Sequence, residues 1–404
     1  MSDAGHENKS LISAIAGHFI IDLYTPVLPV ILPFLIDGMG LSYFFAGLVV
    51  TIFNVVSSIA QPFVGIWNDK TGKTANVAFC VLIGAAGVSL SVLTNNYVIL
   101  LCLVGGAAIG HALFHPAGMN LIYKISPPHK LGFYNSLFTT AGSISYAIGP
   151  LIAGCLITFA GLPAVAWLVL PGIIGAAWIW RMTGRKGNLP EKEAAKPVKN
   201  AVQVPADERR QMNKAAFLVV TVCALRAIGY LGLITYLPTM LVQGEMEMTA
   251  ALASAVVTIM LFFGVAGQLV GGFLSDRFGR KKMLVAGLAL AIPAFLLIFS
   301  GGALMFVGIM AYAFFASFCY VTSVTMAQEL LPGRAGFASG LTLGFTLGVG
   351  GIAGIFIGLI ADISGSLTFA MQLLIIPIAI APLLALFIRY KIKPAKKTAA
   401  GKSA

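Results

Sequence analysis

The sequence predicts an all-α polytopic membrane protein: twelve transmembrane helices arranged as two pseudo-symmetric six-helix bundles. Composition, the spacing of apolar runs and a loop pattern that occurs twice carry this prediction. Of 404 residues, 58% are hydrophobic and 10% charged, with a mean hydropathy of +0.93. A soluble domain carries about 25% charged residues. Runs of about 20 apolar residues, the length that crosses a bilayer, fall at 11–36, 42–66, 77–94, 97–123, 132–160, 163–182, 215–243, 249–275, 283–300, 302–330, 337–362 and 366–390.

Every one of the 26 lysines and arginines except Arg226 lies before the first run, beside a loop that follows an even-numbered run, or in the tail. The positive-inside rule then expects both termini in the cytoplasm of a multi-pass protein of the cell (inner) membrane. The net charge of +12 is thereby a topology signal, and no nucleic-acid partner is expected. Cys80, Cys102, Cys155, Cys223 and Cys319 all sit in apolar runs without a CxxC, which suits small packing residues and not a disulfide framework. The ten polar N-terminal residues lead into the first run with no small-residue cleavage pattern, so that run is expected to remain as a span.

Taken in order, the first span contains Gly17 to Pro33, with His18 and Asp22 one helical turn apart. A charge at the centre of a bilayer helix costs about 2.5–3.5 kcal/mol even on the gentler insertion scales. Pro26, Pro29 and Pro33 remove backbone donors from the same helix and invite a bend. The second span ends in Gly65-x-x-x-Asp69-Lys70-x-Gly72-Lys73. The fourth span carries His111 and His115, again i,i+4, followed by Pro116; the fifth contains Gly142–Gly154, GSISYAIGPLIAG.

Residues 183–214 are rich in charge and proline and read as a cytoplasmic linker, with a short surface helix near Asp207–Met212. They divide an N-terminal bundle (1–182) from a C-terminal one (215–390), and 391–404 form a basic tail near anionic headgroups. The seventh span carries Arg226. The eighth ends in Gly272-x-x-x-Asp276-Arg277-x-Gly279-Arg280-Lys281, the second-span pattern again, 207 residues on. Pro128 to Phe133 and Pro332 to Phe337 match at a spacing of 204. Parallel repeats related by an axis along the membrane normal follow. In these loops glycine permits close helix approach, while aspartate can accept bonds at a helix terminus or pair with the following bases.

The paired GxxxD[RK]xG[RK] loops resemble the signature of the major facilitator superfamily. The first copy departs slightly, with Lys73-Thr74 where the second has Arg280-Lys281-Lys282. Gly17-His18-x-x-x-Asp22, Phe114-His115-Pro116, Ala327 to Arg334 and Gly358-x-x-x-Asp362 resemble the fosmidomycin-resistance branch of that superfamily; His111 is not part of this likeness. The resemblance implies two bundles around a central cavity, alternating access, and gating and interdomain contact at Gly65, Asp69, Lys70, Gly72, Gly272, Asp276, Arg277, Gly279 and Arg280. Gly142–Gly154 resembles the glycine-proline signature of superfamily antiporters, with Ala153 at one expected glycine, and this tilts the direction toward efflux.

Applied to Asp22, the 204-residue offset gives Arg226, so opposite charges stand at pseudo-equivalent positions and could face each other near the midplane. Asp22, Arg226 and His18 are the candidates for proton coupling, with Arg226 also able to hold an anionic substrate. His111, His115, Tyr24, Asn54, Tyr230 and Tyr236 are candidates for lining a substrate cavity, with Gln61 and Gln268 beside them. The i,i+4 histidines also suit a divalent metal, but no thiolate or second carboxylate joins them and the spacing assigns no metal site. Glu329 and Asp362 lie near span ends, where water or helix caps can satisfy them, and rank below Asp22. No nucleotide-binding loop and no nucleophile elbow is present, so neither an enzyme nor a cofactor is expected. The sequence reading is a monomeric, proton-coupled exporter of small anionic or amphiphilic compounds. Proton-coupled uptake of an organic anion or metal complex, and a non-transporting sensor on the same fold, are the alternatives.

Overall fold

The computed structural model describes residues 3–71, 73–126, 131–183, 205–332, 334, 337–338 and 340–390. Among these the chain is helical, with no strand. The helices are α1 (Asp3–Asp22), α2 (Val27–Met39), α3 (Tyr43–Thr71), α4 (Val77–Leu90), α5 (Tyr97–Ile125), α6 (Leu131–Ala160), α7 (Val169–Thr183), α8 (Ala206–Gln243), α9 (Ala250–Phe278), α10 (Arg280–Leu297) and α11 (Gly302–Leu330). They continue with α12 (Thr346–Gly351), α13 (Ala353–Ser364), α14 (Leu367–Gln372) and α15 (Ile375–Leu386). All twelve predicted spans are present. Ten helical segments are long and apolar enough to cross a membrane. The shorter Val77–Leu93 segment and the base-headed α10 supply the other two.

Several spans depart from a continuous α-helix, among them the sixth, which opens as a 3-10 stretch, Leu162–Leu168. The first breaks at 23–26, directly after Asp22, where Pro26 has no N–H to continue the ladder. The eleventh begins as a π-helical turn, Gly340–Phe345, and turns again at Ile352. The twelfth is divided between α14 and α15. One expectation is corrected at the linker: Asp207–Met212 is not a separate surface helix. It forms the opening turns of α8, where Asp207 and Glu208 complement the positive helix terminus.

Helices of each half pack mainly on one another: α1 on α5, α6 and α7, α3 and α4 on α5, and α9 and α10 on α11. The halves meet through α6 with α9, α3 with α12 and α13, and α2 with α8. Among the described residues, the hydrogen bonds between the halves lie toward the face whose loops carry no lysine or arginine. Gln243 donates to Pro33 O (3.1 Å) and Asp37 Oδ1 (2.7 Å), Thr51 to Gly351 O (2.8 Å), and the Tyr236 hydroxyl to Tyr43 O. The backbone N–H groups of Tyr43 and Phe44 donate to Asp362, and that of Ala251 to Thr158.

Two glycines report the same asymmetry. At Gly47 a Cβ would strike the Gly354 carbonyl across the seam, whereas at Gly65, nearer the basic face, it would meet nothing within 4 Å. The close helix approach expected of Gly65 is therefore not made in this conformation. Among the described residues, the hydrogen bonds that join the halves gather toward the base-free end, and α3 still packs on Gly340–Phe345 nearer the basic one.

Candidate functional site

The break after Asp22 leaves that residue at the end of α1, facing α5 and α6. His18 sits one turn earlier on the same helix face. The His18 ring stacks on Phe138 of α6 (centroids 4.0 Å apart) and meets His115 edge-on at 5.1 Å. Its Nδ1 lies 2.7 Å from Phe138 O, and its Nε2 lies 3.0 Å from Asp22 Oδ2.

These contacts fix a proton. A carbonyl oxygen only accepts, so Nδ1 carries a hydrogen. Nε2 and Oδ2 would then present lone pairs to each other unless a second hydrogen lies between them. The pair therefore holds one shared proton, as imidazolium–carboxylate or as imidazole–carboxylic acid, and is neutral overall in either form.

The fourth-span histidines converge on the same carboxylate. Asp22 Oδ1 faces His115 Nε2 at 3.5 Å and His111 Nε2 at 3.7 Å, and the two Nε2 atoms are 2.8 Å apart. Oδ1 itself is buried without a hydrogen-bond partner, as is His111 Nδ1. Side-chain exposure rises from 7% at His18 through 12% at His111 to 22% at His115, so the cluster opens on the His115 side. His18, Asp22 and His115 hold their ligand-type atoms within 4.8 Å of one another, a donor set that would also suit a transition metal.

Gly142 of α6 closes the other side. A Cβ there would lie 2.6 Å from both Asp22 Oδ2 and His18 Nε2. Only glycine leaves room for the shared proton's two holders.

Arg226, on α8, is 6% exposed. Its guanidinium lies 4.8 Å from the Tyr320 ring centroid and 5.9 Å from that of Tyr230. Nη1 makes a long 3.4 Å bond to Ala316 O, and Nε is buried with no partner. Among the described residues no carboxylate forms an ion pair with it. The suggested Asp22–Arg226 pairing is corrected accordingly. Asp22 is engaged by His18 inside its own half, and Arg226 lies over aromatic faces inside the other. Tyr146 lies one helical turn beyond Gly142 on α6 and is half-buried.

The other expected cavity residues divide. Tyr230 borders Arg226. Asn54 packs against Gly351 on the seam between the halves. Tyr24 and Tyr236 do not line a path: each is buried, at 1% and 0% exposure. The Tyr24 hydroxyl donates to Leu168 O, and that of Tyr236 bonds Tyr43 O and Gly354 O.

At the basic face, Lys70 is exposed in the last turn of α3; Gly72 and the Asp69 side chain lie outside what the structure describes. Gly272 has open packing, with Val321 at 3.8 Å from a hypothetical Cβ, and Gly279 (φ +101°) breaks the chain between α9 and α10. Arg277 lies beside Phe278, and Arg280 bridges Asp276 (3.0 Å) and Glu329 (2.9 Å). Glu329 in turn accepts from the Tyr390 hydroxyl. Burial first, and the Glu329 carboxylate next, push the Tyr390 phenol above its ordinary value. The second signature loop is thus tied within its own half. Sequence reasoning missed Tyr146, Phe138 and Tyr320; their only signal was aromatic character within a span.

The family model described as Major Facilitator Superfamily matches residues 14–255 and 242–404. The chain belongs to the major facilitator superfamily. As a member it is a multi-pass membrane transporter of small molecules and not an enzyme. It is 27% identical over 374 residues to "Uncharacterized MFS-type transporter YfnC" of Bacillus subtilis, covering 89% of this chain and 88% of that one. To "Fosmidomycin resistance protein" of Escherichia coli it is 26% identical over 348 residues, covering 86% and 84%. Among solved structures it is similar to a bacterial homologue of the lysosomal transporter Spinster, in an inward-facing, unoccupied conformation. There the TM-score is 0.77 at 18% identity, with 98% and 100% of the two chains covered. A likeness at that identity speaks to the fold.

Proposed function

We propose that this member of the superfamily is a proton-coupled antiporter that exports small anionic or amphiphilic compounds, fosmidomycin-like phosphonates among them. The proton shared by His18 and Asp22 carries the reading, because it places a removable proton inside the membrane beside an unpartnered carboxylate oxygen. Arg226 supports the anionic class: a buried guanidinium with no counter-ion among the described residues is balanced when a carboxylate or phosphonate arrives. The efflux direction follows the relatives named for fosmidomycin and multidrug resistance.

With the basic face cytoplasmic, the hydrogen bonds gathered at the opposite face and the uncontacted Gly65 support an inward-open reading. The cycle then rocks one half against the other, closing the Gly65 side and opening the Asp362 side. An anion entering from the cytoplasm meets Arg226, and an incoming proton from the far side restores the His18–Asp22 pair. Tyr146, one turn beyond Gly142, and Tyr230, beside Arg226, link the occupancy of the two centres. The protein works as a monomer with both termini in the cytoplasm.

Proteoliposomes loaded with a pH-sensitive dye test this. Wild type should move protons on addition of a phosphonate. Asp22→Asn should lose that flux by at least about tenfold while remaining folded, because the amide cannot exchange the shared proton. Undiminished coupled flux in Asp22→Asn would overturn the proposal.

A further inference from the structure

The seam at the base-free face contains a repeat within the repeat. Tyr43 N and Phe44 N, in the first turn of α3, donate to Asp362 Oδ1 and Oδ2 of α13, each at 2.9 Å. Ala251 N, in the first turn of α9, donates to Thr158 Oγ1 of α6, also at 2.9 Å. The spacing of 204 residues maps Thr158 onto Asp362, and that of 207 maps Phe44 onto Ala251. Both offsets are those of the paired loop motifs. In each half, therefore, the end of the fifth helix supplies a side-chain cap to the second helix of the other half.

First-turn N–H groups have no acceptor within their own helix, so a cap from outside is what satisfies them. Separating the halves at this face would strip both caps at once. α9 has a cap of its own as well, since Thr249 Oγ1 accepts from Leu252 N; the structure records no side-chain cap on α3 from its own half. The two caps also differ in charge. Asp362 brings a carboxylate to a positive helix terminus, and Thr158 brings a neutral hydroxyl.

We infer that Asp362 and Thr158 are positioning residues that form a reciprocal pair of trans-caps, holding the base-free face shut as one cooperative latch, with Asp362 the stronger half. The latch is distinct from the proton site and acts on the balance between the two openings of the transporter. Its occupants are the chain's own helix termini, so it needs no ligand.

The amides themselves report the state of the latch. Hydrogen–deuterium exchange with mass spectrometry, on the full chain in nanodiscs, should show slow exchange at 43–44 and 251 in wild type. Asp362→Ala should raise exchange at both places, by roughly 2- to 30-fold, the range set by loss of a helix cap. Thr158→Val should do the same by a smaller factor. Asp362→Asn, which keeps one acceptor oxygen, should fall between wild type and Asp362→Ala, and Thr158→Ser should restore wild-type rates. Faster exchange at 43–44 alone in Asp362→Ala, with 251 unchanged, would reduce Asp362 to a local cap and overturn the latch. Proton flux is not part of this readout, so its failure and that of the antiport reading are separable.

Discussion

Asp22 shows why a single charged residue in a span can be found in a sequence but not understood there. Its presence and that of His18 were legible, because each violates the composition of its surroundings. Its geometry was not. Nothing in the spacing reveals that Phe138 offers a backbone carbonyl to His18, or that His111 and His115 turn both Nε2 atoms toward the same carboxylate. Arg226 was legible for the same reason as Asp22, and the pairing suggested by the repeat failed because Asp22 is engaged by His18 in its own half while the guanidinium lies over aromatic faces in the other. Gly142 gives the sharpest residue-level test. Within an exposed helix a glycine-to-alanine change gains about 1 kcal/mol. Here the added methyl falls on Asp22 and His18, and overpacking costs about 1–3 kcal/mol. Gly142→Ala should therefore lower the melting temperature of the purified protein and reduce proton-coupled flux. At Arg226, lysine keeps the charge but loses the planar stacking surface over Tyr320. Arg226→Gln should raise the KM for anionic compounds at least about tenfold in transport assays, with a smaller rise for Arg226→Lys and little change for neutral amphiphiles.

Individual elements were legible where apolar length alone decides them, and less so where a helix is interrupted. The prolines of the first span announced a bend, but its position at 23–26, one residue beyond the proton site, is a structural finding. The start of α8 at Ala206 was hidden because charged first-turn residues look like linker in a hydropathy reading, although they favour a helix N-terminus. Glu329 was ranked as a span-end residue satisfied by water or a helix cap. It is instead the hub that ties α10 to the segment beyond α15 through Arg280 and Tyr390. Glu329→Gln keeps the shape and removes the charge, and should destabilise the C-terminal half by about 1–3 kcal/mol, read as a lower thermal midpoint. Tyr390→Phe should act in the same direction with a smaller effect. The Tyr390 phenol is held above its ordinary value, so its contribution is complete below the ordinary phenol range and fades as pH climbs through the raised one. A thermal midpoint that is flat from neutral to mildly alkaline pH and then falls would show this, and Tyr390→Phe should remove that part of the fall.

For the whole molecule, the two-bundle plan was readable from paired loop motifs, because a duplicated chain repeats its turns more faithfully than its cavity. Which end of the molecule is shut was not readable, since both ends carry small residues and only coordinates show Gly47 jammed and Gly65 free. Asp362 was undervalued for a related reason: its partner, a pair of backbone amides more than 300 residues away, has no sequence signature. The shared proton of His18 and Asp22 also has an electrical consequence. That pair is neutral as it stands, so Arg226 leaves the substrate-free core with one positive charge. When a monoanion binds and the pair gives up its proton to the cytoplasm, the core changes to one net negative charge. Both reorientations should then feel the membrane voltage, each moving a charge through part of a field worth about 2.3 kcal/mol per 100 mV across the full bilayer. A negative charge moving out and a positive charge moving in carry current of one sign, so recordings on solid-supported membranes should show that sign both in the step that carries cargo and in the return.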